Sequence, residues 1–344
     1  MVKKYSPLLA FSALIIFAGR CLPYGAGTDG APFLSINPGA VSMGMGGSGM
    51  ACGMAGESIF LNPAATYLAH GRKQATYTHV DWLNDVDCEY VSYVHGTKKI
   101  GVFGAGLTVL HMPEIDVTNR AGIETHEIVS VGDNMLLVSY ANKIAKGIFF
   151  GTSVKGIYRN IGSVWAGGLA MDAGFLYYGR KNYDSAAGDY YDISAGISVR
   201  NLLATTVSFY DYNYADKLLP VLKLGLGYKP LKEITLACDL DILTDRRMKL
   251  HTGAEFWVSD NVAFRAGYDS SDDLGAGSGL CTGFSFRPSK KSRYKLGLKS
   301  KTTMVSLQVD YALRFAGDMG MVHRIATKMN FDGRMGKLRK KLSK

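Results

Sequence analysis

The chain has 344 residues and a formal net charge of +10, with 47% hydrophobic residues, 41 Gly and five Cys. Its apolar and aromatic content excludes a disordered chain, its low cysteine density excludes a small disulfide-built fold, and the lack of a Gly-X-Y period excludes collagen. The positive charge is concentrated at the two ends, so the body is almost neutral and lacks the basic stripe that is typical of nucleic-acid binding.

Residues 1–26 are predicted to be a signal peptide. Lys3 and Lys4 precede an uncharged apolar run that is too short to span about 30 Å of hydrocarbon as a helix. An N-terminal membrane anchor is the alternative, and two cleavage sites stay open, near residues 19–21 and near residues 24–26. Export without a later apolar run of transmembrane length predicts a periplasmic protein, a secreted protein or an outer-membrane barrel.

Residues 27–70 are rich in Gly, Ala and Met and do not alternate. Because small residues let a chain fold compactly in a confined space, this segment is predicted to be a plug inside a barrel. The residues assigned to the plug are Gly44, Gly46, Gly47, Asn62, Pro63 and Ala64. Three of the glycines also match the spacing of a dinucleotide-binding loop, but no hydrophobic strand precedes them, so no nucleotide site is predicted.

Residues 71–331 are predicted to be a barrel, because polar and apolar residues alternate along them as in strands with two different faces. Phe264, Ala266 and Tyr268 share one face of a strand, for example, and Arg265 and Gly267 share the other. We count about 14 strands, at residues 73–82, 87–95, 99–111, 133–142, 147–159, 168–180, 189–200, 219–229, 232–241, 248–258, 260–269, 277–287, 303–315 and 321–331.

The predicted fold class is therefore all-β, a transmembrane antiparallel β-barrel of about 14 strands with an N-terminal plug in its lumen. Strands of roughly 9–13 residues exceed the usual length in soluble sheets and match the length that crosses a bilayer at a tilt. The longest early connections, residues 112–132 and 201–218, fall at one end, as the external loops of such barrels do. A periplasmic β-sandwich or β-propeller is the alternative.

Residues 332–344 are predicted to be a basic periplasmic tail, because an even number of strands returns the chain to the side where it entered. Elsewhere the chain lacks the motifs G-x-S-x-G, H-E-x-x-H and C-x-x-C. We therefore predict no enzyme, no cofactor and no metal site. Cys52 and Cys281 could meet in the lumen as a disulfide.

Arg265 and Arg314 are the predicted ligand-binding residues of the lumen. Both lie on the polar faces of strands with clear alternation, near the predicted outer ends. A guanidinium group can bind a carboxylate through two parallel hydrogen bonds, and apolar plug residues would line a pocket for the rest of the ligand. The alternative is that the charges of the lumen pair with one another and with the plug.

Several short motifs in a fixed order carry a resemblance to a known family. Residues 30–34 read Gly-Ala-Pro-Phe-Leu, residues 39–47 read Gly-Ala-Val-Ser-Met-Gly-Met-Gly-Gly, and residues 62–64 read Asn-Pro-Ala. In these motifs the chain resembles the PorV/PorQ-like outer-membrane proteins, relatives of the FadL-type long-chain fatty-acid transporters. The extension after Phe331 departs from the family pattern, in which the chain ends with the final strand.

The resemblance implies a plugged 14-stranded barrel in the bacterial outer membrane. It implies FadL-like passive uptake of hydrophobic small molecules, fatty acids above all, or alternatively a PorV-like barrel that acts without transport as a partner in protein secretion. The partners would then be a hydrophobic ligand, outer-membrane lipid, the barrel-assembly machinery and, in the second case, secretion components. Nucleic acid is not among them.

Overall fold

The computed structural model describes residues 31–119, 121–182, 190–209, 215–243, 248–270, 277–288, 292–296 and 301–333. The predicted signal peptide and the predicted tail beyond residue 333 lie outside the described residues. Within the described ranges, no helix is long and apolar enough to cross a membrane.

Fourteen strands of the described ranges form one closed antiparallel barrel, which confirms the predicted fold class. Each strand pairs with the next barrel strand along the chain, and the last pairs with the first to close the ring. The strands differ from the predicted ones by a few residues at their ends. Their bounds are Lys73–Asp81, Asp87–Gly96, Val102–His111, Val131–Ala145, Ile148–Ile161, Val164–Asn182, Tyr190–Arg200, Val221–Lys229, Ile234–Leu243, Lys249–Trp257, Val262–Asp269, Leu280–Phe286, Lys301–Phe315 and Met321–Gly333.

The two faces of the barrel wall differ as the alternation predicts. In the strand Val262–Asp269, Phe264 is 55% exposed and points outward, whereas Arg265 and Asp269 are buried inside. Exposed apolar side chains recur on the exterior around the ring, among them Tyr77, Phe103, Leu136, Leu169, Ile197, Phe256, Phe284, Leu307 and Ile325. An apolar exterior of this extent is typical of a barrel that is surrounded by lipid.

Some connections that were predicted to be irregular contain short strands. Ile115–Thr118 and Glu124–Val129 pair as a separate hairpin, and Thr206–Phe209 pairs with Ala215–Lys217. The first of these sequences is rich in β-branched residues, which favour extended backbone. We call the end of the barrel where residues 82–86, 112–130 and 201–220 connect the strands the long-loop end.

The described part of the plug segment, residues 31–70, lies inside the barrel against its inner wall. It contains the short helices Ala40–Gly44 and Ser58–Leu61 and the 3-10 helices Pro32–Ser35 and Pro63–Ala69. Glycines that face the lumen occur on most strands of the ring, and the plug segment lies close to them. A Cβ atom added at these glycines would contact plug side chains or plug backbone, so the plug segment packs on all sides of the barrel.

Three pairs of directly opposed glycines accommodate the plug segment on the inner wall. The pairs are Gly253 with Gly267, Gly196 with Gly225, and Gly151 with Gly174. The plug residues against them are, in the same order, Met45 with Gly46, Met50, and Asn62 with Ala64. Because a side chain at any of these six positions would press into the plug, the small residues of the wall and the plug are matched in shape.

Candidate functional site

A cavity of about 580 Å³ lies between the plug segment and the barrel wall at the long-loop end. The connection at residues 82–86 and the side chains of Met112, Leu243 and Met319 border it on the loop side. Its volume falls within the range of about 300–1,000 Å³ that is usual for small-molecule sites. The cavity has two walls of different chemistry.

The apolar wall comes from the plug segment, the second, third and fourth strands and the connection between the first two strands. Aromatic and aliphatic side chains dominate it, including Phe33, Phe60, Trp82, Tyr90, Leu110 and Leu137. Phe60 of the plug packs edge-to-face on Tyr90 of the second strand, with ring centroids 5.8 Å apart. This wall can accept the hydrocarbon part of a ligand.

The charged wall comes from the strands between Val131–Ala145 and Lys301–Phe315. Its cationic members are Lys155, Arg159, Arg200, Lys223, Lys249 and Arg314, and its anionic members are Asp133, Asp172, Asp241 and Asp269. Most of these charges are paired: Lys155 Nζ lies 2.7 Å from Asp172 Oδ1, and Lys223 Nζ lies 2.7 Å from Asp241 Oδ1. His251 also lines the cavity. Even if His251 is neutral, the lining contains more cationic side chains than carboxylates, so the cavity favours an anion.

The two predicted ligand-binding arginines occupy different places. Arg314 lines the cavity, is almost fully buried and places its Nε 3.4 Å from Asp269. Arg265 does not line the cavity, because the plug helix Ala40–Gly44 covers it: a Cβ at Gly44 would lie 3.3 Å from its side chain. Arg265 instead donates from Nε to Glu255 at 2.9 Å. The geometry therefore keeps Arg314 as a ligand-binding candidate and gives Arg265 a structural role.

Arg324 is a candidate that the sequence pattern did not single out. It is fully buried, its Nε donates to the Asn37 carbonyl at 3.1 Å, and its guanidinium lies 5.3 Å from the Trp82 ring centroid. Its NH1 and NH2 have no hydrogen-bond partner among the described residues. A buried guanidinium with open donors beside an anion-favouring cavity is suited to a carboxylate or a bound water.

The predicted plug residues hold the segment in place. Asn62 Oδ1 accepts a hydrogen bond from the Ala64 amide at 3.0 Å, and its Nδ2 donates to the Phe175 carbonyl of the wall at 3.2 Å. Pro63 then begins the 3-10 helix, where its missing N–H costs nothing. Gly46 and Gly47 have φ of 69° and 81°, the left-handed region that favours glycine, and they end the helix Ala40–Gly44.

A buried ion pair anchors the plug segment to the barrel. Glu57 accepts from the backbone amides of Val41 and Ser42 at 3.3 and 3.0 Å, at the start of the short plug helix. Its Oε1 also lies 2.7 Å from Lys328 Nζ on the last strand, and Lys328 lies 3.0 Å from Asp310. One lysine therefore pairs with both a plug carboxylate and a wall carboxylate.

Cys52 and Cys281 do not form the disulfide that the sequence left open. Both thiols are free: Cys281 Sγ lies 3.7 Å from Met43 Sδ, whereas Cys52 lies beside Gly227. Burial inside the barrel raises the pKa of Cys52 to about 12, and the nearby Asp239 carboxylate contributes. Cys52 is therefore a thiol at neutral pH.

No protein-family model matches the chain, and no curated protein matches it. Solved structures do share its fold. The Ralstonia pickettii toluene transporter TbuX aligns with a TM-score of 0.54 and 14% identity over 86% of this chain and 98% of that one. A Pseudomonas aeruginosa FadL homologue aligns with a TM-score of 0.51 and 11% identity over 91% of this chain and 100% of that one. At these identities the likeness concerns the fold.

Proposed function

We propose that the protein is an outer-membrane channel for passive uptake of hydrophobic small molecules that carry an anionic head group, such as long-chain fatty acids. The observation that carries the proposal is the cavity with one apolar and one cation-rich wall. An amphipathic carboxylate matches both walls at once: its chain would pack on the wall that contains Phe33 and Leu110, and its head group would face Arg314.

The fold supports a transport role. The barrel has an apolar exterior for the membrane and a lumen that the plug segment occupies. Its fold is similar to that of a protein named as a toluene transporter and to that of a FadL homologue. The motifs similar to those of PorV/PorQ-like and FadL-type proteins add a sequence argument for a bacterial outer-membrane location.

The route follows from the placement of the cavity. The ligand enters at the long-loop end and binds between the two walls. It reaches the opposite end only when the plug segment shifts, because the glycine pairs bring plug and wall into direct contact below the cavity. Dissociation in the direction of lower ligand concentration makes the transport passive.

The double variant Arg314→Gln/Asp269→Asn is expected to weaken oleate binding to the purified barrel about 10- to 100-fold, the equivalent of a charge-assisted hydrogen bond of about 1.5–3 kcal/mol. Changing both residues removes the cation without leaving Asp269 uncompensated. Binding of the neutral oleyl alcohol is expected to change little. Calorimetry, or displacement of a fluorescent fatty acid, measures the affinity for oleate and the affinity for oleyl alcohol.

Arg287→Gln is the matched control. Arg287 lies away from the cavity, where it stacks 4.4 Å over the Trp257 ring and donates to Gln308, so its loss is expected to leave oleate affinity unchanged. Equal affinity of the wild type and the double variant would remove the head-group assignment. A folded barrel that binds neither oleate nor its alcohol would contradict the proposal and favour the secretion-partner role.

A further inference from the structure

A compact group of ionisable side chains lies on the exterior of the barrel, at the long-loop end of the first three strands. Its members are His79, Asp87, Glu89 and His111, and their side chains are between 27% and 54% exposed. The antiparallel register places His79 opposite Glu89 and His111 opposite Asp87. This group is outside the lumen and plays no part in the proposed uptake.

Carboxylates are concentrated in this group, so a cation is expected to stabilise it. Asp81 and Asp87 stand directly opposite each other on the first two strands, and like charges in that position destabilise a sheet. Glu89 adds a third carboxylate two residues along the second strand. Among the described residues on the outward faces of the first three strands, no lysine or arginine lies at this end. Within the described residues of these three strands, the imidazoles of His79 and His111 are therefore the groups at this end that can carry positive charge beside the carboxylates.

The imidazoles are oriented as metal ligands are. His79 Nδ1 lies 2.7 Å from Glu89 Oε1, so in the neutral ring Nδ1 carries the proton and Nε2 presents its lone pair. That Nε2 faces Asp87 Oδ1 at 3.9 Å, and His111 Nε2 faces Asp87 Oδ2 at 3.6 Å. A carboxylate that holds the far nitrogen of a histidine is the usual outer partner of a zinc-binding imidazole.

We propose that His79, His111 and Asp87 bind one divalent transition-metal ion, with Glu89 as the positioning residue for His79. In a tetrahedral zinc site the ligand N and O atoms stand about 3.4 Å apart. His111 Nε2 lies 3.6 Å from Asp87 Oδ2, and His79 Nε2 lies 3.9 Å from Asp87 Oδ1. Both distances exceed the tetrahedral separation by a few tenths of an ångström.

The site is open and closes on binding. As they stand, no three His, Cys, Asp or Glu side chains within the described ranges are close enough together to hold a metal ion. Binding therefore requires the partly exposed His79 and His111 side chains to rotate towards Asp87. Two imidazole nitrogens and one carboxylate favour Zn²⁺ over Mg²⁺, which prefers oxygen ligands. Solvent supplies the remaining ligand.

Zinc titration of the full, tag-free barrel in detergent tests the site. The wild type is expected to bind one Zn²⁺, and His79→Ala and His111→Ala are each expected to raise the Kd at least about tenfold. Glu89→Gln is expected to raise the Kd about tenfold with the stoichiometry kept, and Co²⁺ substitution would show an unchanged tetrahedral absorption spectrum. His95→Ala, an outward-facing histidine at the other end of the second strand, is the control and is expected to bind like the wild type.

Asp87→Asn separates loss of a ligand from loss of the fold. This variant removes the repulsion from Asp81, so it is expected to melt at a higher temperature than the wild type without metal, yet to lose zinc binding. The proposal is overturned if the wild-type barrel takes up no zinc, or if the His79→Ala/His111→Ala double variant binds zinc as tightly as the wild type. Uptake of Mg²⁺ in place of Zn²⁺ would overturn it as well.

Discussion

Replacement of Lys328 with methionine is expected to lower the free energy of unfolding by about 3–5 kcal/mol, the usual cost of removing one partner from a buried ion pair. Lys328 is 5% exposed and is the cation shared by Glu57 of the plug segment and Asp310 of the wall. Without it, both carboxylates stay buried near each other. Glu57 also holds the start of the plug helix, so the plug segment is expected to detach first.

Two readouts separate plug release from barrel unfolding. Denaturant titration followed by tryptophan fluorescence reports the barrel, and proteinase K cleavage with mass spectrometry reports residues 31–70. The Glu57→Gln/Lys328→Met double variant is expected to lose less than the sum of the two single variants, because it removes both charges of the pair. Wild-type stability together with a protected plug segment in Lys328→Met would show that this ion pair does not anchor the plug.

Replacement of Gly267 with valine is expected to displace the plug segment and to open the lumen to ions. A Cβ at this position would overlap the backbone of Met45 and Gly46, which cannot rotate away as a flexible side chain can. Overpacking of this kind costs about 1–3 kcal/mol when the structure stays in place. A barrel whose wall is otherwise intact can relieve that cost by moving the plug.

Conductance of single barrels in planar bilayers measures the effect. Gly267→Val is expected to conduct ions in larger and more frequent openings than the wild type. Gly156→Val is the matched control, since its Cβ would meet only Leu169, at 3.9 Å, and its conductance is expected to stay at the wild-type level. Equal conductance of the wild type and Gly267→Val would mean that the plug tolerates a side chain at this contact.

The barrel could be predicted from the sequence because each strand faces two different environments. Lipid requires apolar side chains such as Phe264 on one face, and the filled lumen accepts Arg265 and Gly267 on the other. That contrast repeats at every second residue and needs no knowledge of neighbouring strands. The hairpin Ile115–Thr118 with Glu124–Val129 was missed because it stands apart from the barrel and its sequence was assigned to a long loop.

The candidate site could be predicted only in part, because it depends on where the plug segment lies. Arg265 and Arg314 have the same pattern in the sequence, and only the position of Gly44 over Arg265 tells them apart. Arg324 follows the same alternation, and its importance arises from its burial beside Trp82. The opposed glycine pairs could not be predicted from the sequence either. The two glycines of a pair lie on different strands, and the strand register brings them opposite each other.

Oleate uptake by intact cells tests the central claim most directly. Bacterial cells without their own outer-membrane fatty-acid transporter would carry the wild-type barrel or the Arg314→Gln/Asp269→Asn variant at equal surface levels. We expect the wild type to give saturable uptake of radiolabelled oleate, and the variant to give about one tenth of that rate or less at low ligand concentration. Uptake no faster than in cells without the barrel, with the barrel folded in the outer membrane, would contradict the channel function.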